Sequence, residues 1–242
     1  ATGNLAGLGT NTFTGDQVIN GVNVGKGANS VNTNTVLGNN ALDGSVTGAD
    51  NTAIGNGVLT LNTSGARNTA IGSAAIDANT TGSYNTGVGY GTLSSNTGGS
   101  NNTAVGHVAL LRNTNANFNV AVGESALKEN VSGTRNTAVG SYSLDAATTA
   151  NDNTAVGYAT LGANTSGGSN TAVGKSALES NTTGGDNTAV GRGALKLNTT
   201  GANNVAVGRY ALATVTTGSS NTALGYATLT DNTGGSNTAV GR

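Results

Sequence analysis

A 17-residue repeat constrains the fold of this chain more than any other feature of its sequence. A pentapeptide close to Asn-Thr-Ala-Val-Gly recurs with 17 residues from each copy to the next, and 16 in the last step. The copies begin at Asn34, Asn51, Asn68, Asn85, Asn102, Asn119, Asn136, Asn153, Asn170, Asn187, Asn204, Asn221 and Asn237. Tandem repeats of this length are typical of solenoids, in which each repeat forms one coil and contacts only its neighbours.

The consensus repeat separates fixed positions from variable ones. It reads Asn-Thr-Ala-Val-Gly-x-x-Ala-Leu-x-x-Asn-Thr-Thr-Gly-x-x, and we number its positions as columns 1 to 17. Column 5 is always Gly, column 4 is always Val, Ile or Leu, and column 9 is Leu in every complete copy except Ile76. Column 10, in contrast, holds residues as different as Thr60, Lys128 and Glu179. A few fixed inward columns among variable outward ones are what a solenoid requires.

The columns predict strands and turns rather than helices. Thr-Ala-Val places β-branched residues on alternate positions, whereas the Gly of column 5 and the Asn-Thr-Thr-Gly of columns 12 to 15 are typical of turns. A helical pair needs about 33 residues or more. We therefore predict an all-β, parallel β-solenoid (β-roll) whose coils each contain two short strands and two turns. It has about twelve repeats over residues 34–242, preceded by a capping or linker segment over residues 1–33.

Strand alternation leaves the inward face of each coil open. Thr in column 2 and Val in column 4 share one face, while Asn, Ala and Gly in columns 1, 3 and 5 share the other. We expect the large aliphatic residues to be buried, for example Val173 and Leu178. Which face would lie on the axis of an oligomer stays open. The Asn residues of column 1 can form a hydrogen-bonded ladder, or can be present because Asn tolerates left-handed backbone. The two interpretations are compatible.

Composition excludes several function classes. The chain has 40 Gly, no Cys, 9% charged residues and a net charge of −1. Without Cys there is no disulfide or thiol chemistry. Scattered basic residues predict no nucleic-acid partner, and the absence of a long apolar run predicts no membrane insertion of this segment. Each coil has few large apolar side chains to offset its ordering entropy, which favours self-association.

The Asn-Thr-Ala-Val-Gly units from Asn34 to Arg242 resemble the head repeats of YadA-like trimeric autotransporter adhesins. That family forms trimers of left-handed β-rolls that bind host cells and extracellular matrix. Its coils are near 14 residues long, so the 17-residue period here implies a larger cross-section. The resemblance implies, for this chain, a left-handed homotrimer.

The segment from Gly9 to Gly21 and the 17-residue arrays themselves also resemble phage-type tail-fibre proteins. Both families are elongated and trimeric. Together they imply an extracellular chain, on a bacterial cell surface or a virion fibre, whose partner is a host-surface protein or a glycan. We therefore predict a structural and adhesive rod. The alternative is the subunit of an extracellular filament or sheath without a ligand of its own.

No group of reactive side chains recurs or converges, so we predict no enzyme, no catalytic residue, no metal site and no cofactor. The single His, His107, falls in a variable column and is interpreted as a surface residue. The candidate ligand-binding residues are Tyr90, Tyr158 and Tyr226, which share column 6 at intervals of 68 residues. They form aromatic platforms or reflect duplication of a four-repeat block. Ice binding is disfavoured, because the Thr of column 2 and the Val of column 4 share a face that is expected to point inward.

Overall fold

The computed structural model describes residues 15–27, 29 and 31–242. Residues 9–14 of the segment that resembles tail fibres, Gly9 to Gly21, lie outside these residues, as does part of the segment predicted over residues 1–33. The described chain is all-β and contains no helix. Its fifteen strands form one sheet in chain order.

The strands are β1 (Gln17–Ile19), β2 (Val22–Gly25), β3 (Thr35–Gly38), β4 (Thr52–Ile54), β5 (Thr69–Ile71), β6 (Thr86–Val88), β7 (Thr103–Val105), β8 (Val120–Val122), β9 (Thr137–Val139), β10 (Thr154–Val156), β11 (Thr171–Val173), β12 (Thr188–Val190), β13 (Val205–Val207), β14 (Thr222–Leu224) and β15 (Thr238–Val240). From β3 onward all neighbours are parallel, and equal columns are paired. The predicted parallel β-solenoid of 17-residue coils is confirmed.

An antiparallel hairpin covers the first coil. Strands β1 and β2 pair with each other, and β2 pairs antiparallel with β3. The Asp16 carboxylate holds the end of β2, because it accepts the backbone N–H groups of Lys26 at 2.7 Å and Gly27 at 2.6 Å. The hairpin thus occupies the edge of β3, which would otherwise present unpaired backbone groups to solvent.

Each coil contains one strand of three or four residues, so the prediction of two strands per coil is wrong. The rest of the coil is a series of turns in which columns 7, 9 and 17 adopt left-handed backbone. In the coil that starts at Asn119 these are Ser125 (φ 56°), Leu127 (φ 50°) and Arg135 (φ 57°). Such positive angles cannot continue an extended strand. The turns are nevertheless hydrogen-bonded from coil to coil, as in the 3.0 Å bond from Leu127 N–H to the carbonyl of Ser143.

The interior is narrow and is lined by Ala in column 3 and Leu in column 9, both fully buried in nearly every coil. Leu178 is buried as predicted, but Val173 is 37% exposed, so its predicted burial is wrong. The interior has little room opposite the Leu column. Gly87, the one Gly in column 3, follows the coil with the one Ile in column 9, and a Cβ on Gly87 would lie 2.8 Å from Cγ1 of Ile76. Column 3 therefore holds Ala in most coils, with Val36 in the first coil as the one larger side chain, and the aliphatic side chain of column 4 points outward.

The Asn residues of column 1 form a buried hydrogen-bonded ladder along the rod, as predicted. Oδ1 of Asn119 accepts the backbone N–H of Asn136 at 3.0 Å and its Nδ2 group at 3.2 Å, while Nδ2 of Asn119 donates to the carbonyl of Gly133 at 2.9 Å. None of these Asn residues has positive φ. The left-handed-backbone interpretation is therefore wrong for column 1.

A second Asn ladder runs through column 12. Nδ2 of Asn113 donates to Oδ1 of Asn96 at 2.8 Å, and the same contact recurs in most coils. Ala147 and Val215 interrupt it. In the described part of the chain, Oδ1 of Asn130 and Oδ1 of Asn198, each directly preceding an interruption, are buried and without a hydrogen-bond partner.

Candidate functional site

The outward side of the sheet is an uncharged face that runs the length of the solenoid. We call it the Thr/Val face: columns 2 and 4 from Thr35 to Val240, which contain only Thr, Val, Ile and Leu. Its side chains are half-buried or exposed. Because every strand is paired in register, hydroxyl and methyl groups lie in straight rows about 4.8 Å apart from strand to strand. The expectation that this pair of columns points inward is therefore wrong.

The three candidate tyrosines are exposed but do not form one platform. Tyr90, Tyr158 and Tyr226 are 58%, 52% and 47% exposed. Four coils separate each from the next, a distance of about 19 Å. Their surroundings also differ, since Tyr90 stacks on His107 with ring centroids 5.5 Å apart, whereas Nζ of Lys175 lies 5.5 Å from the Tyr158 ring.

Tyr226 belongs to a larger group that sequence reasoning missed. Arginine and tyrosine alternate there along the rod, and we call the group the guanidinium–tyrosine ladder: Arg192, Tyr210, Arg209, Tyr226 and Arg242. The guanidinium carbons of Arg192 and Arg209 lie 5.9 and 4.9 Å from the centre of the Tyr210 ring. Those of Arg209 and Arg242 lie 5.8 and 5.7 Å from the centre of the Tyr226 ring. Each ring is thus within cation–π distance of two guanidinium groups.

The ladder creates a positive local field. Hydrogen bonding from Arg209, joined by the charge of Arg192, lowers the pKa of the Tyr210 hydroxyl below its ordinary value. Column 6 continues the ladder with Lys175, in the coil before that of Arg192. The sequence did contain a signal for this group, because column 6 is basic in three consecutive repeats.

A shallow groove lies beside Tyr158, where Gly162 leaves column 10 without a side chain between the carboxylates of Asp145 and Glu179. Tyr142 forms one wall. Burial raises the pKa of Asp145, and donation of the Tyr142 hydroxyl to Glu124 at 3.2 Å raises the pKa of Tyr142. The groove is open and its polar groups are already engaged by neighbours, since Nζ of Lys196 lies 3.5 Å from Glu179.

Across residues 15–27, 29 and 31–242 there is no group of three or more His, Cys, Asp or Glu residues placed to hold a metal ion. His107 is exposed in column 6, where the sequence placed it. Within those same limits, no helix is long and apolar enough to span a membrane.

The described surface therefore offers two extended features, the Thr/Val face and the guanidinium–tyrosine ladder. Comparison of the chain with protein-family models, with curated proteins and with solved structures found no match to any of them.

Proposed function

We propose that this chain is a non-enzymatic rod segment of an extracellular fibre, on a bacterial cell surface or a virion, in which copies associate along the Thr/Val face. The β-solenoid architecture is compatible with a structural repeat protein of this kind. The observation that carries the proposal is the absence of charge from columns 2 and 4 in all thirteen copies of the pentapeptide. Isolated exposed aliphatic residues need no explanation, but an unbroken row of them does.

The size of the face supports association. Thirteen strands of about three residues cover a strip roughly 60 Å long and 10 Å wide. This area, about 600 Å², is at the upper end of the largest apolar patches on monomeric proteins. With flanking columns it approaches the ~800 Å² that each partner contributes to a standard interface. The resemblance to trimeric adhesins and tail fibres sets the proposed number of copies at three.

Charged substitutions on the Thr/Val face test this association. Replacing Val122, Val156 and Val190 together by Glu places a carboxylate on the face in every second coil. We expect the unmodified chain to sediment as a trimer and the triple variant as a monomer, because three buried unpaired charges would oppose assembly. Circular dichroism should show that both retain the β-solenoid.

The matched control places the same three charges in column 14, on exposed turns: Ser132→Glu, Ser166→Glu and Thr200→Glu. This variant should remain trimeric. An unmodified chain that is monomeric at micromolar concentration would contradict the proposal, as would a trimeric Val variant. Electron micrographs that show indefinite filaments instead of discrete rods would favour the filament or sheath subunit.

The outward rows of Thr hydroxyls and Val methyls also favour a second candidate, binding to ice. Flat, regularly spaced hydroxyl and methyl groups can order water in a lattice, and this face is regular because its strands are in register. A face buried in a trimer cannot bind ice, so the two candidates exclude each other. We expect a chain with this function to be monomeric and to show thermal hysteresis that the Val122, Val156 and Val190 variant lacks. Absence of hysteresis in the unmodified chain would end this candidate.

A further inference from the structure

Five of the basic side chains in the repeats of the described rod, those outside column 6, lie in ion pairs with a carboxylate: Arg67, Arg112, Lys128, Arg135 and Lys196. In column 17, Arg135 lies 2.6 Å from Asp152 of the next coil, and in column 11, Arg112 lies 2.7 Å from Glu129. Column 17 also pairs Arg67 with Asp50, and column 10 pairs Lys196 with Glu179. In each of these four pairs the cation and the carboxylate lie in consecutive coils, so their charges attract and balance each other.

Column 6 instead places charges of the same sign in consecutive coils. Lys175, Arg192 and Arg209 occupy it in three consecutive coils, about 4.8 Å apart in backbone spacing. In the described chain none of them has a carboxylate within ion-pair distance. Like charges this close repel by roughly 1 kcal/mol even in water. The arrangement does not stabilise the rod, and an anion bound along the column would remove the repulsion.

We propose that the guanidinium–tyrosine ladder, continued by Lys175, binds a linear acidic polysaccharide that lies parallel to the rod and carries sulfate or carboxylate groups. Guanidinium groups bind such oxyanions through two parallel hydrogen bonds. The tyrosine rings hold the Arg side chains in place, which lowers the conformational entropy lost on binding. Column 6 has one cation per coil from Lys175 to Arg209 and another at Arg242, which presents a row of contacts to a chain-like ligand.

A single-stranded nucleic acid fits the site less well. Proteins that bind single strands stack bases on open aromatic faces. Here Tyr210 and Tyr226 each have two guanidinium carbons at 4.9 to 5.9 Å from the ring centre, so both rings are already engaged in cation–π contacts. The chain as a whole carries a net charge of −1, which gives no general attraction for polyphosphates.

The inference rests on the proposed function only in that an extracellular fibre meets such polysaccharides, because the ladder lies in column 6 and not on the Thr/Val face. The test measures binding of the full chain to immobilised dextran sulfate and polygalacturonate, with neutral dextran as reference, in low salt. We expect binding to at least one acidic polymer, no binding to neutral dextran, and at least a tenfold loss in the Arg192→Gln, Arg209→Gln double variant. The Tyr210→Leu variant should lose less affinity for the acidic polymer, since it keeps both guanidinium groups and removes only the ring that they contact.

The matched control is the Arg67→Gln, Arg135→Gln double variant, which removes the same charge from cations that are already paired, and should bind as the unmodified chain does. Equal loss in both double variants, or no binding to either acidic polymer, would overturn the inference. Tighter binding to oligothymidylate than to both polysaccharides would assign the site to nucleic acid instead. Sedimentation of the same samples separates the two proposals: a monomer that binds contradicts only the trimeric fibre, and a trimer that does not bind contradicts only the ligand.

Discussion

Replacing Gly55 by Ala is expected to destabilise the solenoid by about 3–5 kcal/mol, because column 5 combines strained backbone with close packing between coils. Gly55 has φ of 135°, and a Cβ there would lie 2.3 Å from the carbonyl oxygen of Gly72 in the next coil. Backbone atoms on both sides cannot move apart without breaking the coil-to-coil hydrogen bonds. The midpoint temperature of thermal unfolding should fall by roughly 10 °C, because each kcal/mol lowers it by about 2–4 °C in a chain of this size.

Gly57, two residues further along the same coil, provides the control. It also has positive φ, 63°, but a Cβ at this position meets nothing within 4 Å. Gly57→Ala should therefore lower the free energy of unfolding by only about 1 kcal/mol, the ordinary penalty of left-handed backbone. Equal losses in the two variants would show that close approach of the coils contributes nothing to the need for Gly in column 5.

Replacing Ala147 by Asn is expected to stabilise the chain by about 1–3 kcal/mol, the cost of leaving a buried polar group without a partner. The new Nδ2 group would donate to Oδ1 of Asn130, which now has none, and the new Oδ1 would accept from Nδ2 of Asn164. Asn already occupies this column in the coils on both sides, so the site accepts the side chain. Thermal or denaturant unfolding measures the gain.

The neighbouring change Ala146→Asn is the control for this repair. Ala146 is half-buried and belongs to column 11, outside both Asn ladders. It should alter stability by no more than about 0.5 kcal/mol, as surface substitutions usually do. If Ala147→Asn gave no gain over this control, the orphaned oxygen of Asn130 would not be a weak point of the fold.

The period and the residue types of the columns were enough to predict stacked coils, an all-β architecture and the column 1 Asn ladder, because residues 17 apart must superpose when each repeat is one coil. Which side of the strand faces inward could not be predicted in the same way. Alternation separates Thr and Val from Asn and Ala, and hydrophobicity favours burial of Val. The structure buries Asn and Ala instead, because the column 1 ladder satisfies the Asn amide and the space opposite Leu is filled by Ala in most coils.

The candidate sites were likewise predictable in part: the shared column of the tyrosines could be predicted from the sequence, but their contacts could not. Tyr90, Tyr158 and Tyr226 share a column, as the spacing predicted, but their partners depend on the neighbouring coils and differ from one to the next. The guanidinium–tyrosine ladder joins column 6 with Tyr210 of column 7. Two columns meet there because the turn after column 5 carries left-handed residues, among them Tyr210 itself (φ 60°). A column-by-column reading of the sequence does not include this curvature.

Nearly every contact between coils joins residues about 17 positions apart, wherever in the rod it lies. The entropy needed to close such a loop is consequently the same for a rod of five coils or fifty, and folding can start in any coil and spread to its neighbours. Duplication or loss of one whole repeat would change the reach of the rod by about 4.8 Å and leave every other coil as it was. Length in this architecture can therefore change without altering the fold of any remaining coil.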